Sequence, residues 1–472
     1  MTSHPSSPRG PESIDIRALR PPFAPSDAAV EWLFRLQRLG IRPGLEAIRE
    51  LLDGMGRPDR AYRCVVIGGT NGKGGAAHAL AGCCRAAGLR TGLYTSPHLL
   101  DVRERIVIDG DSIAPQELFA LVAAHRGLVE STRATFFESL TAMALRWFAD
   151  EGVDVAILEC GLGGRLDATN AVEKAGVVLT SVGMDHQELL GDSLQAILRE
   201  KLGLAQAGSP TYVNDLGDPE LDALATRTLA RVGAERIGLV DLTEQTTERD
   251  EVRGVHAEGA IQREQIRAML AVYRDLAVRE GWPAIDPESL GATLRLPGRY
   301  EAWGRSPRLV LDTAHNEDAL LRTLGQWSHE STRDGRVFVF GASEGKSIDG
   351  AFEAVVASAA TVLVTAPHWY RARSATELAG RLDEVAKASG RSTDIQVIGS
   401  VRASLEHARE FARGISLAGT TPSILVAGSH FLVAEALDRL GVDDLLQEDQ
   451  VPLWDAGLAL RQRPGGSAEV AV

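Results

Sequence analysis

A lysine set in a glycine-rich turn is the first feature of this sequence with chemistry in it. Gly68-Gly69-Thr70-Asn71-Gly72-Lys73-Gly74-Gly75 follows the β-branched run Val65, Val66, Ile67 and leads into a small-residue helical stretch. Glycines at 68, 69 and 72 permit positive φ and let backbone N–H groups converge on an anion. The helix N-terminus adds its dipole, and Lys73 supplies a point charge. The generic phosphate-loop pattern, however, wants glycine where Ile67 stands and Ser or Thr where Gly74 stands. The loop alone therefore leaves two readings open: a phosphate cradle, or a tight turn with a solvated lysine.

Three further strand ends carry groups that suit a nucleotide and its metal. Glu159 closes the apolar run 153–158, Ser96 follows the strand predicted over 91–94, and His186 follows that over 177–181. A divalent ion among phosphates takes hard oxygen ligands and keeps several waters. Each residue also has an ordinary reading: a solvated strand-end acid, a turn-former before Pro97, a core or surface histidine. Lys201, by the same standard, is a charged residue on a helix.

The elements that must bring these groups together follow from periodicity. Helices are expected from about 27, over 44–55, over 73–87, 115–130, 136–150, 262–280 and 287–294. Strands are expected over 91–94, 105–108, 153–158 and 177–181, and again over 309–311, 337–340, 362–364, 395–398 and 424–426. Strands alternating with helices imply βαβ units and mostly parallel sheets. Ligands of such sheets bind at the carboxyl ends of the strands, where Thr95-Ser96-Pro97-His98, Glu159-Cys160-Gly161 and Gly183-Met184-Asp185-His186 fall. The expected division is a lead-in over 1–25, a phosphate-loop domain over 26–295, a smaller α/β domain over 296–460 and a tail over 461–472. The stretch 238–259 is polar and turn-rich, as expected of a surface excursion.

Composition narrows the classes. The chain has 472 residues, 44% hydrophobic and 24% charged, enough for two or three domains with real cores. A net charge of −14 argues against a nucleic-acid surface or a polybasic membrane patch. No apolar run reaches the ~20 residues of a membrane helix. The Pro- and Ser-rich start lacks a signal-peptide core, so the cytosol is the expected address. The four cysteines show no Cys-x-x-Cys spacing and are expected to be reduced core residues.

Several local motifs, recurring together, carry a family resemblance. Gly-Thr-Asn-Gly-Lys-Gly over 69–74 is similar to the short phosphate loop of the Mur ligase superfamily. Within it the chain resembles the folylpolyglutamate synthase/dihydrofolate synthase family. The motifs are Thr95-Ser96-Pro97-His98-Leu99, Phe137-Glu138 with Thr141, and the run Gly161-Leu162-Gly163-Gly164-Arg165-Leu166-Asp167-Ala168-Thr169-Asn170 after Glu159. Asp185-His186, Glu200-Lys201, Pro297-Gly298-Arg299, Asp312 with Ala314-His315-Asn316, Phe340-Gly341-Ala342-Ser343 and Gly428-Ser429 follow in order.

The resemblance implies a Mur ligase-like domain followed by a Rossmann-like one, with ATP as co-substrate, Mg²⁺, and as an optional further ion a monovalent cation. It places Gly69, Thr70, Asn71, Gly72, Lys73, Gly74 and Gly75 around the ATP phosphates, and Ser96, Glu159 and His186 on the metal. Lys201 matches the lysine that is carbamylated in the family. Phe137, Glu138 and Asp167 fall to the folate side. Arg299 and Asp312 reach over from the second domain, with His315 and Asn316 beside them, and Gln265 stands near where an adenine-contacting asparagine is expected. Lys73, Lys201, His186 and Arg299 are the catalytic candidates.

The chain departs from the family at Gly75, where Ser or Thr is usual, and at Thr313 and Glu317, where glycine and proline are usual. The expected reaction is ATP-driven addition of L-glutamate to tetrahydrofolate, dihydropteroate or both, through an acyl phosphate, by a monomer whose two domains close about residue 296. Two other readings stand beside it: a Mur-superfamily ligase acting on a different carboxylate, and a non-catalytic folate- or nucleotide-binding paralogue.

Overall fold

The computed structural model describes residues 28–40, 42–244, 259–285, 289–290, 294, 296–304, 307–417 and 421–442. The expected lead-in and tail, residues 245–258 of the polar excursion and most of the helix expected over 287–294 lie outside the described residues.

Two sheets organise the chain. The first contains β1 (Arg63–Gly68), β2 (Thr91–Tyr94), β3 (Ile106–Ile108), β4 (Asp111–Ser112), β5 (Val155–Glu159), β6 (Gly176–Leu179), β7 (Pro210–Val213) and β8 (Glu235–Gly238). Their order is β4-β3-β2-β5-β1-β6-β7-β8. All pair in parallel except β3 and β4, which fold back as antiparallel edge strands. β1 is central, and its register sets Ile67 beside Glu159 and Gly68 beside Leu179. The ends of β1, β5 and β6 thus lie side by side, where the direction of winding reverses and a crevice opens.

The run of apolar residues in β1 reflects burial on both faces, as parallel strands require. Val65, Val66 and Ile67 are fully buried, worth roughly 1.5–3 kcal/mol each. Successive side chains point to opposite faces. Cys64 and Val66 pack with Leu51, Leu140 and Met143 of the helices Glu46–Gly54 and Phe136–Asp150. Val65 and Ile67 pack with Ala76, Ala79 and Leu80 of the helix Lys73–Ala86 and with Ile266, Met269 and Tyr273 of the helix Ala260–Glu280. The four cysteines are free and buried in these cores.

The second sheet contains β9 (Glu301–Trp303), β10 (Arg308–Leu311), β11 (Arg336–Phe340), β12 (Thr361–Val364), β13 (Asp394–Val397) and β14 (Ser423–Ala427). Its order is β13-β12-β11-β14-β10-β9, parallel but for β9. Phe338 and Phe340 face one core and Val337 and Val339 the other, again the alternation of a doubly covered sheet.

The sequence expectation missed β4, β7, β8 and β9. β4 has only two residues, β7 opens on proline, β8 lies at an edge with charged residues, and β9 has only three residues. Arg105, expected inside a strand, ends a short 3₁₀ turn instead, and its buried guanidinium donates from Nε to His98 Nδ1 at 2.9 Å.

Candidate active site

The phosphate loop is stitched to the end of β6. Thr70 N donates to Ser181 O at 2.9 Å and Asn71 N to Ser181 Oγ at 2.9 Å, while Thr180 Oγ1 donates to Asn71 O at 2.7 Å. Gly69, at φ 143°, allows this approach: a Cβ there would stand 2.0 Å from Thr180 Oγ1. Gly72, at φ 82°, turns the chain into the helix. The first N–H groups of that helix lack intrahelical acceptors and face the crevice.

Two lysines converge under the loop. Lys73 Nζ donates to Gly69 O at 3.1 Å and to Thr70 O at 3.0 Å, and Lys201 Nζ donates to the same Gly69 carbonyl at 2.9 Å. Lys201 is buried, and burial, then the neighbouring Lys73 charge, pull its ammonium down to about 8. The Gly-rich run fixes it. A Cβ on Gly164 would meet the Lys201 Cα at 2.9 Å, so only glycine lets the loop lie against the helix Leu194–Leu202.

Glu159 ends β5 one strand away. Its carboxylate is buried and accepts from Ser96 N at 3.0 Å. Burial raises its pKa, opposed by the charges of Lys73 and Arg299. His186 stands after β6 at φ 51°, and its Nε2 lies 3.2 Å from Lys346 Nζ. Burial, then Lys346, hold this imidazole below its usual value, in the neutral form that ligates metals. Among the described residues, no group of three or more His, Cys, Asp or Glu converges as a metal site. The buried carboxylate of Glu159 is the kind of oxygen ligand that suits a hard cation keeping several waters.

The second sheet supplies the opposite wall. Asp312, after β10, accepts from Tyr300 N and Ala314 N, both at 2.8 Å, and so shapes the turn that carries Arg299. The Arg299 guanidinium bonds to Thr313 Oγ1 and lies over the loop, where a Cβ on Gly74 would stand 2.7 Å from Nη2. His315 Nδ1 donates to Thr313 O at 2.9 Å. Asn316 Nδ2 donates to Asn71 Oδ1 at 2.8 Å, and Asn71 Nδ2 donates to Asp318 Oδ2 at 2.9 Å. Lys346 Nζ reaches Asp185 at 3.1 Å, and His430 Nε2 donates to His98 O at 2.9 Å. Thr313 is thus Arg299's partner. Glu317 opens the helix Glu317–Ser328, where a carboxylate suits the helix dipole.

Of the three residues that the resemblance gives to folate, Phe137 lies over Gly161, where a Cβ would be 2.7 Å from the ring, and its ring centroid is 5.8 Å from that of Tyr94. The two carboxylates of this group are otherwise engaged. Glu138 Oε2 accepts from Thr135 N at 2.8 Å in a capping box, because it sits three residues into its helix. Asp167 accepts from Leu162 N at 2.9 Å and from Thr169 N at 3.0 Å, which folds the loop around it. The reading of the sequence missed Lys346 and Arg105. Lys346 had one signal, its place in the loop after β11.

The fold and site together define a two-lobed α/β protein with a phosphate loop at the switch point of its larger sheet and a second lobe closing over it. The chain is 32% identical to the dihydrofolate synthase/folylpolyglutamate synthase of Escherichia coli, over 70% of this chain and 80% of that protein. It is 33% identical to a probable bifunctional folylpolyglutamate synthase/dihydropteroate synthase of Haloferax volcanii over 86% of this chain, and it spans about half, 50%, of that relative's length. A structure of the bifunctional folylpolyglutamate synthase/dihydrofolate synthase of Yersinia pestis, complexed with AMPPNP and Mn ion, superposes with a TM-score of 0.69 at 27% identity. The superposition covers 88% of this chain and 99% of that one. A family model described as dihydrofolate synthetase, C-terminal domain, matches residues 299–439. The chain belongs to the folylpolyglutamate synthase/dihydrofolate synthase family. Its larger sheet is the Mur ligase-like part of that fold, followed by the α/β C-terminal part.

Proposed function

We propose that this chain is an ATP-dependent ligase that joins L-glutamate to a folate, with tetrahydrofolate, dihydropteroate or both as the acceptor. The observation that carries the reading is the convergence on one loop of Lys73, Lys201 and the overlying Arg299, beside the buried carboxylate of Glu159. Lys73 and Arg299, two cations facing one small cradle, suit a triphosphate. Membership of the family and the AMPPNP and Mn ion held by the Yersinia pestis relative support the same reading.

The substrate carboxylate is a poor electrophile, so its oxygen first attacks the γ-phosphorus of ATP and ADP leaves. Lys73 and Arg299 neutralise charge as the phosphoryl group moves. The glutamate amine then attacks the acyl carbon, the amide C–N bond forms, and phosphate leaves while the amine gives up a proton. A divalent metal, Mg²⁺ in this proposal, would be held by Ser96, Glu159 and His186 and would supply further charge neutralisation. The amine form of Lys201, favoured by its depressed pKa, is what carbamylation by CO₂ requires, and that change would turn a cation into an anion near the metal. Phe137 offers an aromatic wall to the pterin. The two lobes, 26–295 and 296–460 in this proposal, hold both substrates and exclude water that would hydrolyse the acyl phosphate.

The test is phosphate release with ATP, L-glutamate and either dihydropteroate or tetrahydrofolate. Turnover with either supports the proposal, turnover with tetrahydrofolate alone removes the dihydrofolate synthase activity, and turnover with neither removes both.

A further inference from the structure

The helix Ala260–Glu280 places two glutamines, Gln262 and Gln265, three residues apart and so on one face. Its apolar residues Ile266, Met269, Leu270 and Tyr273 pack against Ala76, Ala79 and Leu80 of the phosphate-loop helix, which fixes where the glutamines stand. Gln262 Nε2 donates to Arg299 O at 3.1 Å. Gln265 Nε2 donates to Gly72 O at 2.7 Å.

The second contact depends on an unusual vacancy of side chain. A Cβ on residue 75 would lie 2.2 Å from Gln265 Oε1 and 3.1 Å from its Cδ. Gln265 thus occupies the space where the side chain of residue 75 would begin. The two positions are mutually exclusive, and the chain has glycine at the one and the long amide at the other.

The contact also bears on the loop. The Gly72 carbonyl accepts from Ala76 N at 2.9 Å as well as from Gln265. In a planar trans peptide the C=O and the following N–H point in opposite directions. Holding the Gly72 carbonyl against the helix therefore aims the Lys73 N–H away from it, toward the crevice. We infer that Gln265 is a positioning residue for the phosphate loop, matched to Gly75, so that an amide delivered by the neighbouring helix sets the direction of the Lys73 peptide. This inference rests on the ligase reading, and adds to it a residue that acts on the phosphates through the loop.

The test is ATP binding by calorimetry to the full chain and to Gln265→Ala, Gly75→Ala and the double variant, with inorganic tripolyphosphate as a second probe. Gly75→Ala adds only a methyl group in a helix, and it displaces the flexible end of Gln265. Each single variant is expected to weaken ATP roughly three- to tenfold, the range for one lost neutral hydrogen bond. The double variant should lose no more than either single one, because both remove the same contact. Tripolyphosphate should weaken by the same factor as ATP. Gly75→Ala should not lower the unfolding temperature, since alanine favours the helix over glycine. Losses that multiply in the double variant would overturn the inference. So would a Gln265→Ala chain that weakens ATP yet binds tripolyphosphate as before, which would make Gln265 a contact to the nucleoside. Failure of the unaltered chain to bind ATP would instead remove the ligase reading.

Discussion

Lys201 and Gly69 meet at 2.9 Å, ammonium to carbonyl, and Lys73 donates to that same oxygen at 3.1 Å. Two cations on one carbonyl, one of them buried, form a site already biased toward anions. The bias has a measurable cost, because a buried ammonium beside another cation resists its charge.

The pH dependence follows from that cost. Lys201 is depressed from 10.5 to about 8 by burial and then by Lys73. Between about 8 and 10.5 the unfolded chain binds the proton and the folded chain does not, so stability rises with pH across this window. Below it both states are protonated and the penalty is full, about 3 kcal/mol by linkage. Lys201→Met is expected to flatten this rise, to be more stable than the unaltered chain at pH near 7, and to lose turnover. Denaturant midpoints of both chains in bicarbonate-free buffer, from pH 7 to 10.5, check it; parallel curves would reject the depressed ammonium.

Glu159 is expected to separate activity from stability in the same way. Its carboxylate is buried and raised by burial, with a single backbone N–H, that of Ser96, at 3.0 Å. Glu159→Gln removes the buried charge at nearly constant shape, so unfolding should be unchanged or delayed, while the Mg²⁺ concentration for half-maximal turnover rises about tenfold or more. An unchanged metal titration would reject the ligand role.

Much of this arrangement is legible in the residues themselves. Val65-Val66-Ile67 ahead of glycines declares a buried parallel strand and its turn, because both faces of β1 need apolar side chains. Glu159 is legible as the first charge after an apolar run. Lys201 is not: on a helix a lysine reads as solvated, and what buries it is the approach of Gly164 from a distant loop. The reason for Gly75 is equally invisible, since Gln265 reaches it only through tertiary packing. Asp167 and Glu138 show the converse, for a strand-end or helix-start acid is often bound to nearby backbone N–H groups, as both are here.

Phe137 should act on one substrate only. Its ring lies over Gly161 and near Tyr94, on the side of β5 away from the phosphate loop's stitching to β6. Phe137→Ala is expected to raise KM for the folate substrate about tenfold, with KM for ATP within roughly twofold, as loss of one aromatic wall implies. Equal rises in both would place Phe137 outside a folate pocket.

The contacts between the lobes give the last prediction. Lys346 Nζ lies 3.1 Å from Asp185 Oδ1, with both side chains mostly shielded from solvent, and the Asn71–Asn316 bond at 2.8 Å lies beside it. The first bond joins the loop after β6 to the loop after β11, and the second joins the phosphate loop to the start of the helix Glu317–Ser328, so together they tie the second lobe to the strand ends that carry the site. Lys346→Met leaves the Asp185 carboxylate with the His186 N–H at 2.9 Å inside its own loop, and across the lobes with only the long contact to Asn316 Nδ2 at 3.5 Å, a partly buried charge that water must then reach. The lobes are therefore expected to part: a larger radius of gyration by scattering, and kcat/KM lowered about tenfold, the scale of one shielded ion pair. If closure about residue 296 assembles the site, ATP and folate together should restore compaction in this variant more than in the unaltered chain. A variant as compact as its parent, yet equally impaired, would mean that Lys346 acts on the chemistry and does not hold the lobes together.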